Sequence, residues 1–349
     1  MAKKRKTLPK DFEDMLKTAD LADLQAVFAT CDVDARGGYS KRTALAFNDC
    51  PDDLARWLVE QGADVNAEDI YGETPLHARA GHWQGRLDIL VELGADVNHG
   101  EGGRGAPLHR AAMSALSRNV QRLLAHGAKV DALDRQGFTP LEIALRGCSN
   151  AQIEGVADLA AIMLEAGARI TDRMPAFVTR IGEQFEFHRA GFNKDSLAAT
   201  DAALHRLYAL FDVPPVPRRL MHDGKAPIIV TAGRWQDAHQ QLWELLVPSQ
   251  GAAQTVQGEV IRIAGRIARE LDGNGGVNWD RQFRSMVEAW RRHVASGTPL
   301  PPADLAKADA IVAGIDRNGG DCEGMMELAV AWVARNPDPI PLPPPAYQR

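Results

Sequence analysis

The side chains best suited to chemistry lie in the second half of the chain, and none of their patterns is complete. His222-Asp223 could supply two ligands of a metal that hydrolyses phosphate esters, but no further ligands follow at a characteristic spacing. Three other histidines would have to converge on this pair in the folded chain: His188, His205 and His239. A metal-dependent hydrolase in residues 214–335 is therefore one hypothesis among several.

Two acidic turns resemble the start of a calcium-binding loop. Asp272-x-Asn274 and Asp316-x-Asn318 match the first positions of an EF-hand, but its sixth position, a glycine, is Val277 in one turn and Asp321 in the other. Both turns read Asn-Gly-Gly, which is explained more simply as helix termination. The sequence therefore predicts no metal and no cofactor.

Motifs that identify common enzymes are absent. The chain has no Gly-x-Ser-x-Gly nucleophile elbow, no Gly-x-x-x-x-Gly-Lys phosphate loop and no His-Glu-x-x-His zinc pair. Without such a motif we predict no catalytic residue and a protein that is not an enzyme.

Length, charge and cysteine content limit the number of domains, the class of partner and the cellular compartment that the sequence predicts. A chain of 349 residues is long enough for about two domains. Its net charge of −6 lacks the excess of basic residues that binding to nucleic acid requires. No apolar run reaches the roughly 20 residues that span a bilayer. The cysteines show no paired spacing, which predicts reduced thiols in the cytoplasm. They are Cys31, Cys50, Cys148 and Cys322.

The first half of the chain contains an internal repeat. Gly62-Ala-Asp-Val-Asn66 recurs as Gly94-Ala-Asp-Val-Asn98, and more loosely from Gly127 and Gly167. The glycines are 32, 33 and 40 residues apart. Repeats of this period indicate a solenoid, in which each unit packs on its neighbours and the exposed face usually binds a macromolecule.

A second phrase recurs in register with the first. Thr74-Pro-Leu-His-Ala78 returns as Ala106-Pro-Leu-His-Arg110 and as Thr139-Pro-Leu-Glu-Ile143. With the glycine phrase, these residues resemble the ankyrin repeat family over about residues 10–172. The resemblance implies a solenoid of helix pairs with short β-turn fingers. Together with the helices that the rest of the chain predicts, this gives an all-α fold in which the solenoid is followed by a mainly helical C-terminal domain.

Helical periodicity and proline content divide the chain into predicted segments. Helical periodicity predicts two long helices at 174–191 and 195–211 and five more after Pro214-Pro-Val-Pro217, besides a short strand over 226–231. The predicted segments are a disordered basic tail (1–10), ankyrin repeats with N-terminal capping helices (11–172), a helical C-cap (173–213), a C-terminal helical domain (214–335) and a Pro-rich tail (336–349).

One predicted helix is unusually rich in charge. Glu259, Arg262, Arg266 and Glu270 are three or four residues apart, so they share one helix face. We interpret them as a ladder of surface ion pairs; the alternative is a charged docking face for a partner.

The resemblance implies a binding surface made from inner helices and finger tips. The position after each Pro-Leu-His phrase is expected to face solvent, and exposed aromatic and arginine side chains are typical of binding hot spots. The candidate contact residues are Phe47, Ile70, Tyr71, Trp83, Arg104, Arg110, Arg135, Phe138 and Ile143. His77 and His109 are instead expected to join neighbouring repeats through backbone hydrogen bonds.

These features predict a non-catalytic module that binds a specific protein, with neither nucleic acid nor membrane as partner. Residues 35–172 carry 14 basic and 19 acidic side chains, which favours a basic partner. The specific hypothesis is a bacterial immunity protein that blocks a toxin. The alternative is an effector or adaptor acting inside a host, suggested by the basic run Lys3–Lys6 as an import signal.

Overall fold

The computed structural model describes residues 4–231 and 233–348, of which helices are by far the main element. The predicted all-α architecture is confirmed, with 54% helix and little strand. The chain forms two compact units. The first, which we call the repeat unit, runs to Phe185 and includes Asn193–Val216; the second, the C-terminal unit, comprises Glu186–Phe192 and the chain from Pro217 onward.

The repeat unit begins with a small sheet and two helices. Strand β1 pairs in parallel with β2, and β2 pairs in antiparallel with β3. The elements are β1 (Arg5–Thr7), α1 (Phe12–Thr18), α2 (Leu21–Thr30), β2 (Cys31–Gly37) and β3 (Arg42–Thr43). Phe12 and Phe28 are both buried and meet edge to face, with ring centroids 6.0 Å apart, so the two helices share a core.

The prediction of a disordered tail over residues 1–10 is wrong from Lys4 onward. Leu8 is buried and its amide donates to the Arg36 carbonyl at 3.0 Å, which extends the pairing of β1. The Lys4 ammonium donates to the Phe28 carbonyl at 2.8 Å. An apolar anchor and satisfied strand groups therefore order this segment. Lys3, the first residue of the basic run, lies outside the described residues.

The ankyrin-like helices follow in pairs. They are α3 (Asp52–Glu60), α4 (Pro75–Ala80), α5 (Leu87–Glu92), α6 (Pro107–Met113), α7 (Ser117–Ala125), α8 (Pro140–Gly147) and α9 (Ile153–Glu165). Proline opens α4, α6 and α8, where the missing N–H costs nothing. The glycine of each Gly-Ala phrase has φ between 85° and 96°, a conformation that strains other residues and ends the preceding helix.

The first repeat departs from this pattern, and one candidate contact residue is lost with it. Its inner helix shrinks to a single 3₁₀ turn, Ala44–Ala46. Phe47, expected to face solvent, is only 3% exposed and packs 5.9 Å from the ring of Phe12. The prediction for Phe47 is wrong because the shortened turn directs its ring into the N-terminal core.

The two long helices predicted after the repeats are present. They are α10 (Met174–His188) and α11 (Lys194–Leu210), and α11 packs against α9. Leu204 and Leu207 are almost fully buried, so the last repeat is covered by apolar side chains.

The C-terminal unit is built around one central helix. Its helices are α12 (Trp235–Leu246), α13 (Val256–Ala268), α14 (Arg281–Val294), α15 (Pro302–Gly314) and α16 (Cys322–Arg335), as many as the sequence predicts after Pro214-Pro-Val-Pro217. Helix α13 packs against α12, α14 and α16. Val260, Ile263 and Ile267 are fully buried in this core.

The Asn-Gly-Gly turns of this unit lie against each other. Gly276 has φ of +70°, and a Cβ atom there would come within 2.0 Å of the Arg317 carbonyl oxygen in the other turn. The close approach accounts for glycine at this position without any bound ion.

The Pro-rich tail packs onto the C-terminal unit. The Ile228 amide donates to the Pro337 carbonyl, so 226–231 pairs with the tail and forms no strand of a sheet, contrary to prediction. The side chain of Gln257 bonds the backbone of Asn336, Asp338 and Ile340 at 2.8–3.0 Å. A side-chain amide thus satisfies backbone groups that proline-rich sequence leaves without a partner.

The predicted surface ladder on α13 is also wrong. The side chains of Glu259 and Arg262 are 0% exposed, and Arg262 binds the carboxylate through Nε at 2.8 Å and Nη2 at 2.6 Å. Tyr347 donates its hydroxyl to Glu259 at 2.7 Å, and the Ala253 amide donates at 3.0 Å. The ladder prediction fails because α13 is the central helix of the unit, so its charged side chains are buried. The tail closes over the resulting ion pair.

Candidate functional site

The main candidate site is a groove on the face formed by inner helices and fingers. It encloses about 320 Å³ and combines finger residues with side chains from α6 and α8. Its lining is Glu73, Arg104, His109, Arg110, Met113, Asp134, Arg135, Gln136, Ile143 and Arg146. Of the predicted contact residues, the structure brings Arg104, Arg110, Arg135 and Ile143 together here.

The groove has an excess of positive charge. Four of its residues are arginines, and its two carboxylates are already engaged. Asp134 accepts the amides of Gln136 and Phe138 at 2.8 and 2.9 Å, which closes the finger turn. Glu73 lies 3.1 Å from Arg110 Nε in an ion pair without hydrogen-bond geometry. Arginine guanidinium groups are the side chains best suited to bind carboxylates in bidentate fashion.

Aromatic rings hold two of these arginines in place. The Arg104 guanidinium lies 5.5 Å from the centroid of Tyr71, and Arg146 lies 4.3 Å from the centroid of Phe138. Arg173 contacts the same Phe138 ring at 4.5 Å. Stacking on an aromatic face orients a guanidinium while leaving its N–H groups free to donate.

The backbone of the glycine-rich finger at 100–105, which carries Arg104, contacts the next finger, which carries Arg135. The Gly102 amide donates to Leu133, and the Arg135 amide donates to Gly103 at 2.7 Å. These bonds bring the arginine-bearing fingers side by side along the groove.

The remaining predicted contact residues lie outside the groove lining. Ile70 and Trp83 are 61% and 70% exposed, and Tyr71 is at the edge beside Arg104. Trp83 stands between α4 and α5 and lines a second depression with Arg86, Arg118 and Arg122. Phe47 is buried, as described above. The sequence patterns thus assign these residues to one surface, whereas the fold places them at separate locations.

Six residues of the groove lining are not among the predicted contacts, and Arg146 is the one that adds positive charge. Arg146 belongs to no repeated phrase, so the motif gave no reason to choose it. It follows Ile143 by three residues on α8 and therefore shares its face. Helical spacing from an already chosen position is the signal that identifies it.

The two histidines of the Pro-Leu-His phrases are structural, as predicted. His77 Nδ1 accepts from the Thr74 amide at 3.2 Å, and Nε2 reaches the Gly105 carbonyl of the next repeat at 3.0 Å. His109 repeats the arrangement with Ala106 and Phe138. The ring must therefore be neutral and carry its proton on Nε2, since a proton on Nδ1 would face another donor.

We expect the repeat unit to lose stability on mild acidification through His77. Burial lowers the pKa of His77 to about 4, against about 6.5 in the unfolded chain. The unfolded chain then binds the proton first, so stability present above pH 6.5 declines as pH falls toward 4, by about 2 kcal/mol at pH 5. Urea titrations at pH 7 and pH 5, followed by circular dichroism, measure the loss.

The matched control is His77→Gln, whose side-chain oxygen can accept from Thr74 much as Glu142 accepts from Thr139 at 2.9 Å. This variant should lose less stability than the wild type between the two pH values. An equal loss in both proteins would show that His77 is not responsible.

The residues considered for catalysis serve ordinary structural roles. His222 Nδ1 accepts from the Gly224 amide at 3.0 Å, and Asp223 accepts the amides of Lys225 and Ala226, so the pair closes a turn. Within residues 4–231 and 233–348, no three side chains of His, Cys, Asp or Glu cluster closely enough to hold a metal ion. The four cysteines are buried free thiols. No helix in the described part of the chain is both long and apolar enough to cross a bilayer.

Comparison with known proteins agrees with the repeat geometry. Residues 41–134 match the family model for ankyrin repeats in three copies. The chain is 40% identical over 101 residues to the putative E3 ubiquitin-protein ligase XBAT35 of Arabidopsis thaliana, covering 27% of this chain and 22% of that protein. It is 35% identical over 119 residues to the ARF GTPase-activating protein Git of Drosophila melanogaster, covering 33% and 15%.

Rabankyrin-5 of Mus musculus is 31% identical over 117 residues, which cover 29% of this chain and 10% of that protein. The chain thus spans less than a quarter of each of these relatives, so their names describe proteins that are largely unmatched. Residues 41–134 are therefore ankyrin repeats, and the protein carries a protein–protein interaction module of that family.

Proposed function

We propose that the protein is a non-catalytic binding protein whose arginine-lined groove holds a specific protein partner. The single observation that carries the proposal is the groove itself, where four predicted contact residues meet on the face formed by fingers and inner helices. Its arginines are partly exposed and its apolar side chains, Met113 and Ile143, are accessible to a partner. Such a mixture is typical of binding hot spots.

A second consideration supports one specific partner. The C-terminal unit has its own core, closed by the tail, so the chain carries a second folded unit besides the repeat module. The finer proposal is a bacterial immunity protein that neutralises a toxin by forming a stoichiometric complex. No feature of the described residues favours a hydrolase, and Lys4 and Arg5 of the basic run are engaged with Phe28 and Thr30.

Affinity capture with the full chain tests the site. Partner recovered from cells that naturally make the protein should fall at least tenfold with Arg110→Ala or Tyr71→Ala, since each removes a hot-spot side chain from the groove or its edge. Arg118→Ala is the matched control, because Arg118 is exposed in the second depression and lies outside the groove. If all three variants recover as much partner as the wild type, the groove is not the binding site.

Co-expression tests the immunity role separately. The captured partner, expressed alone, should arrest growth, and co-expression of this protein should restore it. If the partner does not arrest growth but its capture still requires Arg110, the groove remains the binding site and the immunity hypothesis is wrong.

A further inference from the structure

The sign of charge in the groove is opposite to that of the repeat region around it. Residues 35–172 have five more acidic than basic side chains, whereas the groove has four arginines and two carboxylates. Among the described residues, Arg104, Arg135 and Arg146 form no ion pair with a carboxylate. Asp134 and Glu73 are occupied by the finger turn and by Arg110.

Local charge determines what the groove binds. At physiological ionic strength, exposed charges are screened beyond about 8 Å, so acidic residues elsewhere on the repeats contribute little inside it. Burial lowers the pKa of His109 and keeps the ring neutral near pH 7, so it does not alter the balance. A partner segment in this groove therefore meets mainly guanidinium groups.

We infer that the groove binds an acidic peptide segment of its protein partner, with carboxylates on the arginines and an apolar side chain between them. This inference rests on the proposed function and replaces the basic partner expected from net charge. Arg104 and Arg135 stand on adjacent fingers, and Arg146 lies on α8. Met113 is 46% exposed and, with the half-buried Ile143, offers the apolar contact.

A peptide fits these features better than a nucleic acid. Binding a polyanion requires an extended basic surface that neutralises many phosphates, and the whole chain carries a net charge of −6. The groove is short, at about 320 Å³, and its rings are stacked against its own arginines. Nucleic-acid bases would therefore find no free aromatic platform there.

Selection from a display library of short random peptides tests the inference on the full chain. Selected peptides should be enriched in Asp and Glu around an aliphatic residue, and their affinity should fall as NaCl rises from about 50 to about 300 mM. The double variant Arg104→Glu with Arg135→Glu should bind them at least tenfold more weakly, because it turns attraction into repulsion. Both positions are exposed, so the fold should persist, which circular dichroism checks.

Arg118→Glu makes the same change of charge outside the groove and should leave binding unchanged. Basic or uncharged peptides that lose affinity with the double variant would overturn the acidic specificity while leaving the groove as a binding site. If no selected peptide depends on the two arginines, the proposed site fails as well. Fluorescent single-stranded DNA bound through these arginines, with no acidic peptide selected, would overturn the inference in favour of nucleic acid.

Discussion

Replacing Arg262 by leucine is expected to lower the free energy of unfolding of the C-terminal unit by about 3–5 kcal/mol. The variant leaves Glu259 fully buried without its bidentate partner. A buried carboxylate without a compensating charge either costs this energy or takes up a proton. Urea unfolding followed by tryptophan fluorescence measures the effect, because five of the seven tryptophans lie between 235 and 332.

The surroundings of Glu259 explain why the charge matters. Burial on its own raises the pKa of Glu259, but the hydrogen bonds and charge of Arg262, with the Ala253 amide and the Tyr347 hydroxyl, outweigh it. The net pKa of this carboxyl is therefore lowered. Its contribution to stability is present above about pH 4.5 and is lost as pH falls through the lower folded-state value.

A double variant separates the lost charge from lost packing. Glu259→Gln in the Arg262→Leu background removes the unpaired charge. Its one side-chain oxygen can accept from the Ala253 amide, and its NH2 group then faces the Tyr347 hydroxyl oxygen, to which it can donate. The double variant should recover part of the stability lost in the single variant. A double variant as unstable as Arg262→Leu alone would mean that packing, and not the ion pair, sets the cost.

Helix spacing predicted correctly that Glu259 and Arg262 share a face, but it did not indicate what covers that face. A better signal was the rest of α13, where Val260, Ile261 and Ile263 surround the charges. A helix that is apolar on every side belongs in a core, and charges within it must be paired there. The sequence therefore contained the information, although the charged residues alone suggested a surface.

The repeats were the most predictable part because their residues act locally. Pro75 at a helix start and Gly94 at a helix end fix the backbone within a few residues, whatever the rest of the chain does. Arg104 and Arg135 could be chosen from the finger positions for the same reason. That they meet Arg146 in one groove depends on the stacking of successive repeats, which motif positions alone do not describe.

Composition alone does not indicate that the Pro-rich tail packs onto the C-terminal unit. Six prolines between 336 and 349 favour an extended chain without internal hydrogen bonds. Such a chain can still be held by side chains elsewhere, as Gln257 does, and anchored by Tyr347, which is 5% exposed. These contacts are more than 80 residues apart in sequence, and no local pattern predicts them.

Replacing Trp332 by alanine should also destabilise the C-terminal unit by about 3–5 kcal/mol. The side chain is fully buried between helices, and its Nε1 donates to the Ser296 carbonyl at 3.0 Å. The variant loses apolar burial and this hydrogen bond, and it leaves a cavity. Trp83→Ala, at a position 70% exposed, is the matched surface control and should change stability by no more than about 0.5 kcal/mol.

Phenylalanine substitutions separate the hydrogen bond from the volume. Trp290 is as buried as Trp332, but its Nε1 has no hydrogen-bond acceptor among the described residues. Trp332→Phe removes the hydrogen bond to the Ser296 carbonyl, which adds about 0.5–1.5 kcal/mol to the loss of volume, whereas Trp290→Phe removes an N–H that was already unsatisfied. Trp332→Phe should therefore be the more destabilising of the two. The reverse order in urea titrations would show that packing alone governs these two positions. They are directly comparable because each tryptophan follows an alanine in the last turns of its helix, α14 or α16.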